Sequence, residues 1–399
     1  MIFQPNEMQA IAIDKFCYWY NHPKSRMMEW FEISGPAGSG KTSVVFSIIQ
    51  NLGLPMDHVA FVAFVGKAAL ALRLSGVNGR TVHSLIYRLE MKPKRDSNGN
   101  QIIKSGELQY EKVFVKVEEL DPKIELIVVD EGGMIAKDMG MDLLSYRIPL
   151  LVLGDKHQLP PVFGASIFLN NPDVTLTEIM RQHKDSSIIY LSQLAMHGID
   201  IPYGSYNNGE CRVIRKCDLT DEDLTNSDLV ICGTNKMRDT INWYMRKNIY
   251  KIDHNSLTIG DKLVCRKNYW DVMLNDDISL VNGMVGYVTG VNRNTHNPKS
   301  LIEIDFRPDF SKEEQFYKLP VNHRYTFADY ETRQGMFTRS KEDDYIFEFG
   351  YCLTCHLSQG SQYDNVLIYV ENLGSNSLYQ RQWLYTAITR AKKGLTLVF

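Results

Sequence analysis

The sequence predicts an α/β protein built on parallel sheets, and three stretches predict it. Residues 30–49, WFEISGPAGSGKTSVVFSII, pass from a short apolar run through a glycine-rich loop into an apolar helical run. Residues 123–135, KIELIVVDEGGMI, are an apolar run of strand length ending on Asp130-Glu131. Residues 147–162, RIPLLVLGDKHQLPPV, hold another buried run that closes on Gly154-Asp155. Short, continuously apolar strands alternating with helical stretches are the pattern of parallel sheets covered on both faces.

Composition sets outer bounds. A chain of 399 residues is long enough for two or more domains, each with its own core. Its apolar opening run is missing, and no stretch of about 18 to 20 apolar residues is present, so a cytosolic location with no membrane partner is expected. Seven cysteines without a secretory signal read as reduced thiols. The formal charge of −3 means that any bound polyanion must be held by a local positive groove, not by net charge.

The first stretch carries the most specific chemistry. Gly35, Pro36, Ala37, Gly38, Ser39, Gly40, Lys41 and Thr42 form G-x-x-x-x-G-K-[ST] in a strand–loop–helix context, and Ser43 follows as a further nucleotide-binding candidate. Glycines let backbone N–H groups curl around phosphate oxygens, and the helix start adds N–H groups and a positive dipole. Lys41 brings a cation to the β- and γ-phosphates of ATP, and the Thr42 hydroxyl suits Mg²⁺. The second stretch ends on Asp130, expected to hold Mg²⁺ through water, and Glu131, expected to polarise the attacking water. The third strand end completes a RecA-like arrangement, with three strand ends facing one nucleotide.

GDxxQLPP directly after a DE strand resembles motif III of superfamily 1 helicases, in particular the 1B branch with its RecD-like and phage Dda-like members. Other segments then fall into the family's order, from Gln9 to Arg390. The resemblance implies that Gln158 senses the γ-phosphate and that Gln9, in FQPNEMQAIAID, meets the adenine edge. It gives Arg181 in LTEIMRQ and Arg390 in YTAITRAKKG the role of γ-phosphate arginines, and it places Gly360 beside the nucleotide. Two such arginines stabilise charge on the transferring phosphoryl group only when the domains close.

The remaining motifs resemble a nucleic-acid grip. Phe64 and Lys67 stand in motif Ia, where Phe64-Val65 replaces the usual Pro-Thr, and Phe64 is expected to stack on a base. Thr81, His83 and Ser84 in motif Ib are expected on phosphates, and Pro160 and Asn235, the latter in ICGTNKMRDTINWYMR, are expected to contact the DNA. YCLTCHLSQGSQYDN resembles motif V through His356, Ser358, Gln359 and Gly360, with departures at Leu357 and Gln362. Cys352-x-x-Cys355-His356 has the spacing of a haem attachment site, but its place in motif V makes that spacing incidental.

Two inserts complete the expected architecture: two RecA-like parallel-sheet P-loop domains with a β-hairpin insert and an SH3-like β insert. Domain 1A is expected over residues 1–87 and 118–178, and the hairpin 1B over 88–117 around the Asn98-Gly99 turn. Domain 2A is expected over 179–258 and 350–399, with insert 2B over 259–349. In that insert Lys262, Arg266, Lys267, Tyr269 and Trp270 read equally as a nucleic-acid platform or as a small barrel's core and rim. The reading is a monomeric ATP- and Mg²⁺-dependent helicase that acts on single-stranded DNA and on single-strand/duplex junctions. Its 5′ to 3′ direction is implied by the family branch alone. The alternative is a translocase or protein-displacing NTPase, or an RNA-acting enzyme, without efficient unwinding. Single-strand-binding protein and replisome components are further partners in such a setting. The short accessory domains resemble phage enzymes.

Overall fold

The computed structural model describes residues 4–25, 29–96, 100–104, 107–160, 165–178, 186–275, 278–292, 301–337, 345–374 and 376–399. The chain forms two compact units. The first comprises Met1–Phe64, Leu72–Lys156 and Pro160–Glu178; the second comprises Val65–Ala71, His157–Leu159 and Ile179–Phe399.

In the first unit the three apolar stretches become neighbours in one six-stranded sheet. Its order is Val174–Thr175, Trp30–Ser34, Leu150–Gly154, Leu126–Asp130, Val59–Ala63 and Gly79–Thr81, every pair parallel. Central positions such as Ile33, Val62, Leu126, Ile127 and Val152 are wholly buried, as strands covered on both faces require. Register matters more for the site. Ser34 pairs with Gly154 and Ala63 with Asp130, so the carboxyl ends of these strands lie along one edge. Loops leaving that edge converge where open α/β sheets bind ligands.

A two-stranded antiparallel ribbon, Tyr87–Pro93 with Tyr110–Lys116, extends from this unit in unbroken register. A smaller pair, Ile103–Lys104 with Glu107–Leu108, continues it. The Asn98-Gly99 turn lies outside the described residues.

The second unit holds a six-stranded sheet in the order Gly204–Tyr206, Cys211–Ile214, Ala391–Val398, Tyr363–Tyr369, Leu229–Cys232 and Cys352–Thr354. Its strands are parallel except for the antiparallel edge pair Gly204–Tyr206 and Cys211–Ile214. The expected β insert appears as a five-stranded antiparallel sheet: Phe316–Asn322, Leu301–Pro308, Val285–Asn292, Lys262–Cys265 and Phe347–Phe349. Gly283 turns the chain at φ 86° just before Val285–Asn292.

Buried ions stitch this unit together. Arg246, fully buried, donates to both Asp261 oxygens at 2.8 and 3.2 Å and to the carbonyls of Ile252, His254 and Ser256. The Phe327 and Phe349 rings lie at 5.3 and 5.0 Å from its guanidinium carbon. Arg238 pairs with Glu348 at 2.6 Å, and Arg333 pairs with Asp239. Among the described residues no helix is long and apolar enough to cross a membrane.

Candidate functional site

The phosphate loop takes the form its glycines allow. Gly38 and Gly40 stand at φ 83° and 81°, left-handed values that a side chain would strain. The helix that follows, Lys41–Leu52, has Gly40 at its N-cap and receives no side-chain capping bond. Its first-turn N–H groups are therefore left for a ligand, and their dipole favours an anion. Lys41 Nζ donates to the loop carbonyls of Gly35 at 2.6 Å and Pro36 at 3.1 Å, which holds the ammonium over the loop. Among the described residues Ser39 Oγ is buried without a hydrogen-bond partner, a polar group that a phosphate oxygen would satisfy.

Across the strand edge, Asp130 ends its strand and Glu131 follows at φ 52°. A non-glycine residue held in left-handed backbone costs roughly 1–3 kcal/mol, and such strain clusters at functional sites. The Glu131 N–H donates to Asp130 Oδ1 at 3.0 Å. Burial raises the Asp130 carboxyl above its ordinary value, and the Lys41 ammonium draws it back down. The exposed Thr42 hydroxyl at the helix start and the Asp130 carboxylate are hard oxygen donors of the kind Mg²⁺ prefers. They fit a metal that takes its other ligands from phosphate and water.

Gln9, expected at an adenine edge, sits differently. It is 0% exposed. Its Nε2 donates to the Ser39 carbonyl at 3.0 Å and its Oε1 accepts the Asn6 N–H at 3.0 Å, closing a capping box on the Glu7–Asn21 helix. The amide braces the phosphate loop from behind.

The expected nucleic-acid residues of the first unit divide in the same way. Thr81 is buried and caps the Val82–Ile86 helix by accepting the Ser84 N–H at 3.1 Å, so its hydroxyl is taken by the fold. Ser84 is exposed and donates to the Thr81 carbonyl, and Pro160 is exposed. Phe64 packs half-buried on the core. Its ring centroid lies 6.4 Å from that of His83, which lies 6.0 Å from Phe114 of the ribbon. Burial lowers His83, keeping the ring neutral.

In the second unit, Gln158 is buried, and the next residue's N–H donates to Thr386 Oγ1 at 2.9 Å. Arg390 is 3% exposed and donates to the Thr386 and Ser361 carbonyls and to Thr389 Oγ1. Arg181 lies outside the described residues. Lys67, expected in the DNA grip, is 8% exposed, and its ammonium donates to the Tyr363 hydroxyl at 2.7 Å. Burial brings it down to about 8. Ser358 is wholly buried and donates to the Cys355 carbonyl at 2.7 Å, so it too turns inward. His356 is half-buried and lowered by that burial. Gly360 stands at φ 77° against Ala68, and Asn235 opens the Asn235–Tyr244 helix half-buried.

Other motif positions resolve physically. Gln362, where the resembled family has an acid, donates to the Thr389 carbonyl at 3.1 Å. Burial pushes the Cys355 thiol up to about 12, where it stays protonated and packs as a small apolar group. In the insert, Lys262 and Tyr269 are buried and Arg266 pairs with Glu348, whereas Trp270 is 41% exposed. Core and rim account for Lys262, Arg266 and Tyr269. Sequence reasoning passed over Glu371, whose carboxylate holds the turn before Asn235; no motif marked it.

Comparison with known proteins gives two family matches in chain order: an AAA domain over residues 22–203 and a UvrD-like helicase C-terminal domain over 349–398. An uncharacterized protein of Methanocaldococcus jannaschii is 23% identical, covering 92% of this chain and 36% of its own length. The ATP-dependent RecD2 DNA helicase of Deinococcus radiodurans is 24% identical, covering 90% of this chain and 45% of its own. The chain thus spans under half the length of either curated relative. A Pif1 helicase from Bacteroides, solved with ADP-AlF3 and single-stranded DNA, shares the fold at a TM-score of 0.54. That structure is 18% identical and covers 100% of this chain and 92% of its own.

Proposed function

We propose that this chain, a superfamily 1B helicase of the Pif1/RecD-like kind, hydrolyses ATP to travel 5′ to 3′ along single-stranded DNA and open duplex ahead of it. One observation carries the catalytic half: an uncapped helix start with Lys41 folded over it, in the same sheet edge as the Asp130-Glu131 strand end. Phosphate oxygens would take the free N–H groups and draw Lys41 from the Gly35 and Pro36 carbonyls. Exchange of neutral acceptors for an anionic one strengthens each bond.

Thr42 and Asp130 would hold Mg²⁺, the Asp130 contact running through water. When bound, that ion neutralises charge on the β- and γ-phosphates. Glu131, fixed in its left-handed pose, orients and polarises the attacking water. Gln158 reports the γ-phosphate, and Arg390 and Arg181 meet its developing charge. Arg390 would exchange neutral acceptors, the Thr386 and Ser361 carbonyls, for an anionic one, which makes a stronger, charge-assisted bond. Proposed domain limits are 1–87 and 118–178 for 1A, 88–117 for 1B, 179–258 and 350–399 for 2A, and 259–349 for 2B.

On the polymer side, His83, Ser84, Pro160, Asn235 and His356 are the proposed strand contacts. Phe64 and Phe114 offer ring edges to bases from either side of neutral His83. Opening each base-pair step works against stacking of about 1.4 kcal/mol on average, which one nucleotide cycle per step must exceed. The test is ATP hydrolysis with Mg²⁺, with and without single-stranded DNA, in the natural chain and in Lys41→Ala. The expected result is DNA-stimulated hydrolysis that Lys41→Ala abolishes while DNA is still bound. Hydrolysis persisting in Lys41→Ala would refute the nucleotide site.

A further inference from the structure

The turn after the Leu229–Cys232 strand is held by a carboxylate from a distant part of the second unit. Glu371 lies just past the Tyr363–Tyr369 strand. Its Oε2 accepts the N–H of Gly233 at 2.6 Å and of Thr234 at 3.0 Å, and its Oε1 accepts the Thr234 hydroxyl at 2.8 Å. The same hydroxyl accepts the Met237 N–H at 3.1 Å, capping the Asn235–Tyr244 helix. Gln380 braces the arrangement from behind, donating to the Glu371 carbonyl and accepting the Leu373 N–H, each at 3.0 Å.

Gly233 shows how closely this is built. A Cβ there would lie 3.1 Å from Glu371 Oε2 and strike the Leu373 side chain. Thr234 already caps the helix, so Glu371 is not needed for capping. What three charge-assisted bonds add is a fixed Thr234 rotamer and a fixed path for the turn. The next residue, Asn235, is the first of the helix, at the positive end of its dipole. The backbone that carries Asn235 is therefore held on one path, which lowers the ordering cost of gripping a phosphodiester strand.

We infer that Glu371 is a positioning residue for the nucleic-acid grip at Asn235, acting through Gly233 and Thr234 without touching the strand. The inference rests on the DNA reading proposed above. It assigns Glu371 to binding of the single strand, not to nucleotide chemistry.

The experiment titrates oligothymidylate into the ATPase reaction of the whole chain. Glu371→Ala is expected to raise the oligothymidylate concentration for half-stimulation about tenfold, equivalent to ~1.4 kcal/mol. The rate at saturating DNA and the DNA-free rate should not move. Glu371→Gln keeps an acceptor for both N–H groups and a donor for the Thr234 hydroxyl, and should recover most of the loss. Asn235→Ala should raise half-stimulation too, and adding it to Glu371→Ala should add little.

An unshifted half-stimulation in Glu371→Ala would overturn the inference. So would a lowered one, which would mean that the carboxylate only repels the strand. Should Glu371→Ala fail to fold, Glu371→Asp, which withdraws the carboxylate by one methylene, must shift half-stimulation in the same direction; no shift there also overturns it. Absence of stimulation in the natural chain would overturn the DNA reading itself, whereas stimulation with unaltered Glu371 variants overturns this inference alone.

Discussion

Gly132→Ala places one methyl group where the nucleotide site has no room for it. A Cβ on Gly132 would lie inside any van der Waals distance of Val152 Cγ1, with the Leu153 carbonyl at 3.4 Å and Val129 Cγ1 at 3.7 Å. Val152 is wholly buried in the centre of the sheet and cannot retreat. The strain must therefore be relieved by moving the segment that bears Glu131, already held at φ 52°. Overpacking of this kind costs about 1–3 kcal/mol. If that cost falls on the arrangement that orients water, the turnover rate drops by about 5- to 150-fold, at 1.36 kcal/mol per decade. The assay is steady-state ATP hydrolysis at saturating nucleotide and DNA, with thermal unfolding as a control. Val152→Ala in the same chain removes the colliding methyl and should restore part of the rate. A Gly132→Ala turnover within about twofold of the natural chain, a barrier change below ~0.5 kcal/mol, would refute the argument that Glu131 is held by this packing.

Three further outcomes are expected. Arg246→Met leaves the buried Asp261 carboxylate without its cation and takes a donor from three carbonyls, and should cost the second unit about 3–5 kcal/mol in urea unfolding; a loss under ~1 kcal/mol contradicts it. Asp130 is raised above 3.8 by burial, so the stability its proton supports is present below the ordinary carboxylate range and is lost as pH rises through the raised value. Asp130→Asn should accordingly gain stability over the natural chain as pH rises across that window, and a pH-independent difference would refute the assignment. A grip made on backbone phosphates should weaken with salt, log affinity falling at about −0.7 per contact against log salt; a flat response would contradict it.

The nucleotide half was legible because its chemistry is local. A strand, a glycine loop and a helix start are adjacent in sequence, and the physics of phosphate binding dictates their residue types, so Gly38, Gly40, Lys41 and Thr42 could be placed directly. Parallel strands announce themselves by continuous apolar runs, and the runs ending on Ser34, Asp130 and Gly154 fall side by side in the sheet. Burial of polar groups was not legible. Lys67, Ser358 and Thr81 carry the residue types of a phosphate grip, yet each turns inward to a partner that the chain supplies from elsewhere or from its own turn. Gln9 reads as a ligand contact because an amide suits adenine, whereas the fold uses that amide to tie the first helix to the phosphate loop. Glu371 and the Arg246–Asp261 pair depend on residues far apart in sequence, and no spacing rule connects them.

The most direct test of the central claim is unwinding of one duplex carrying either a 5′ or a 3′ single-stranded tail, with ATP and Mg²⁺. The account expects opening only from the 5′ tail, and none in Lys41→Ala. Opening only from the 3′ tail would contradict the 1B direction. Hydrolysis stimulated by single strands without any opening would contradict the helicase reading and leave a translocase.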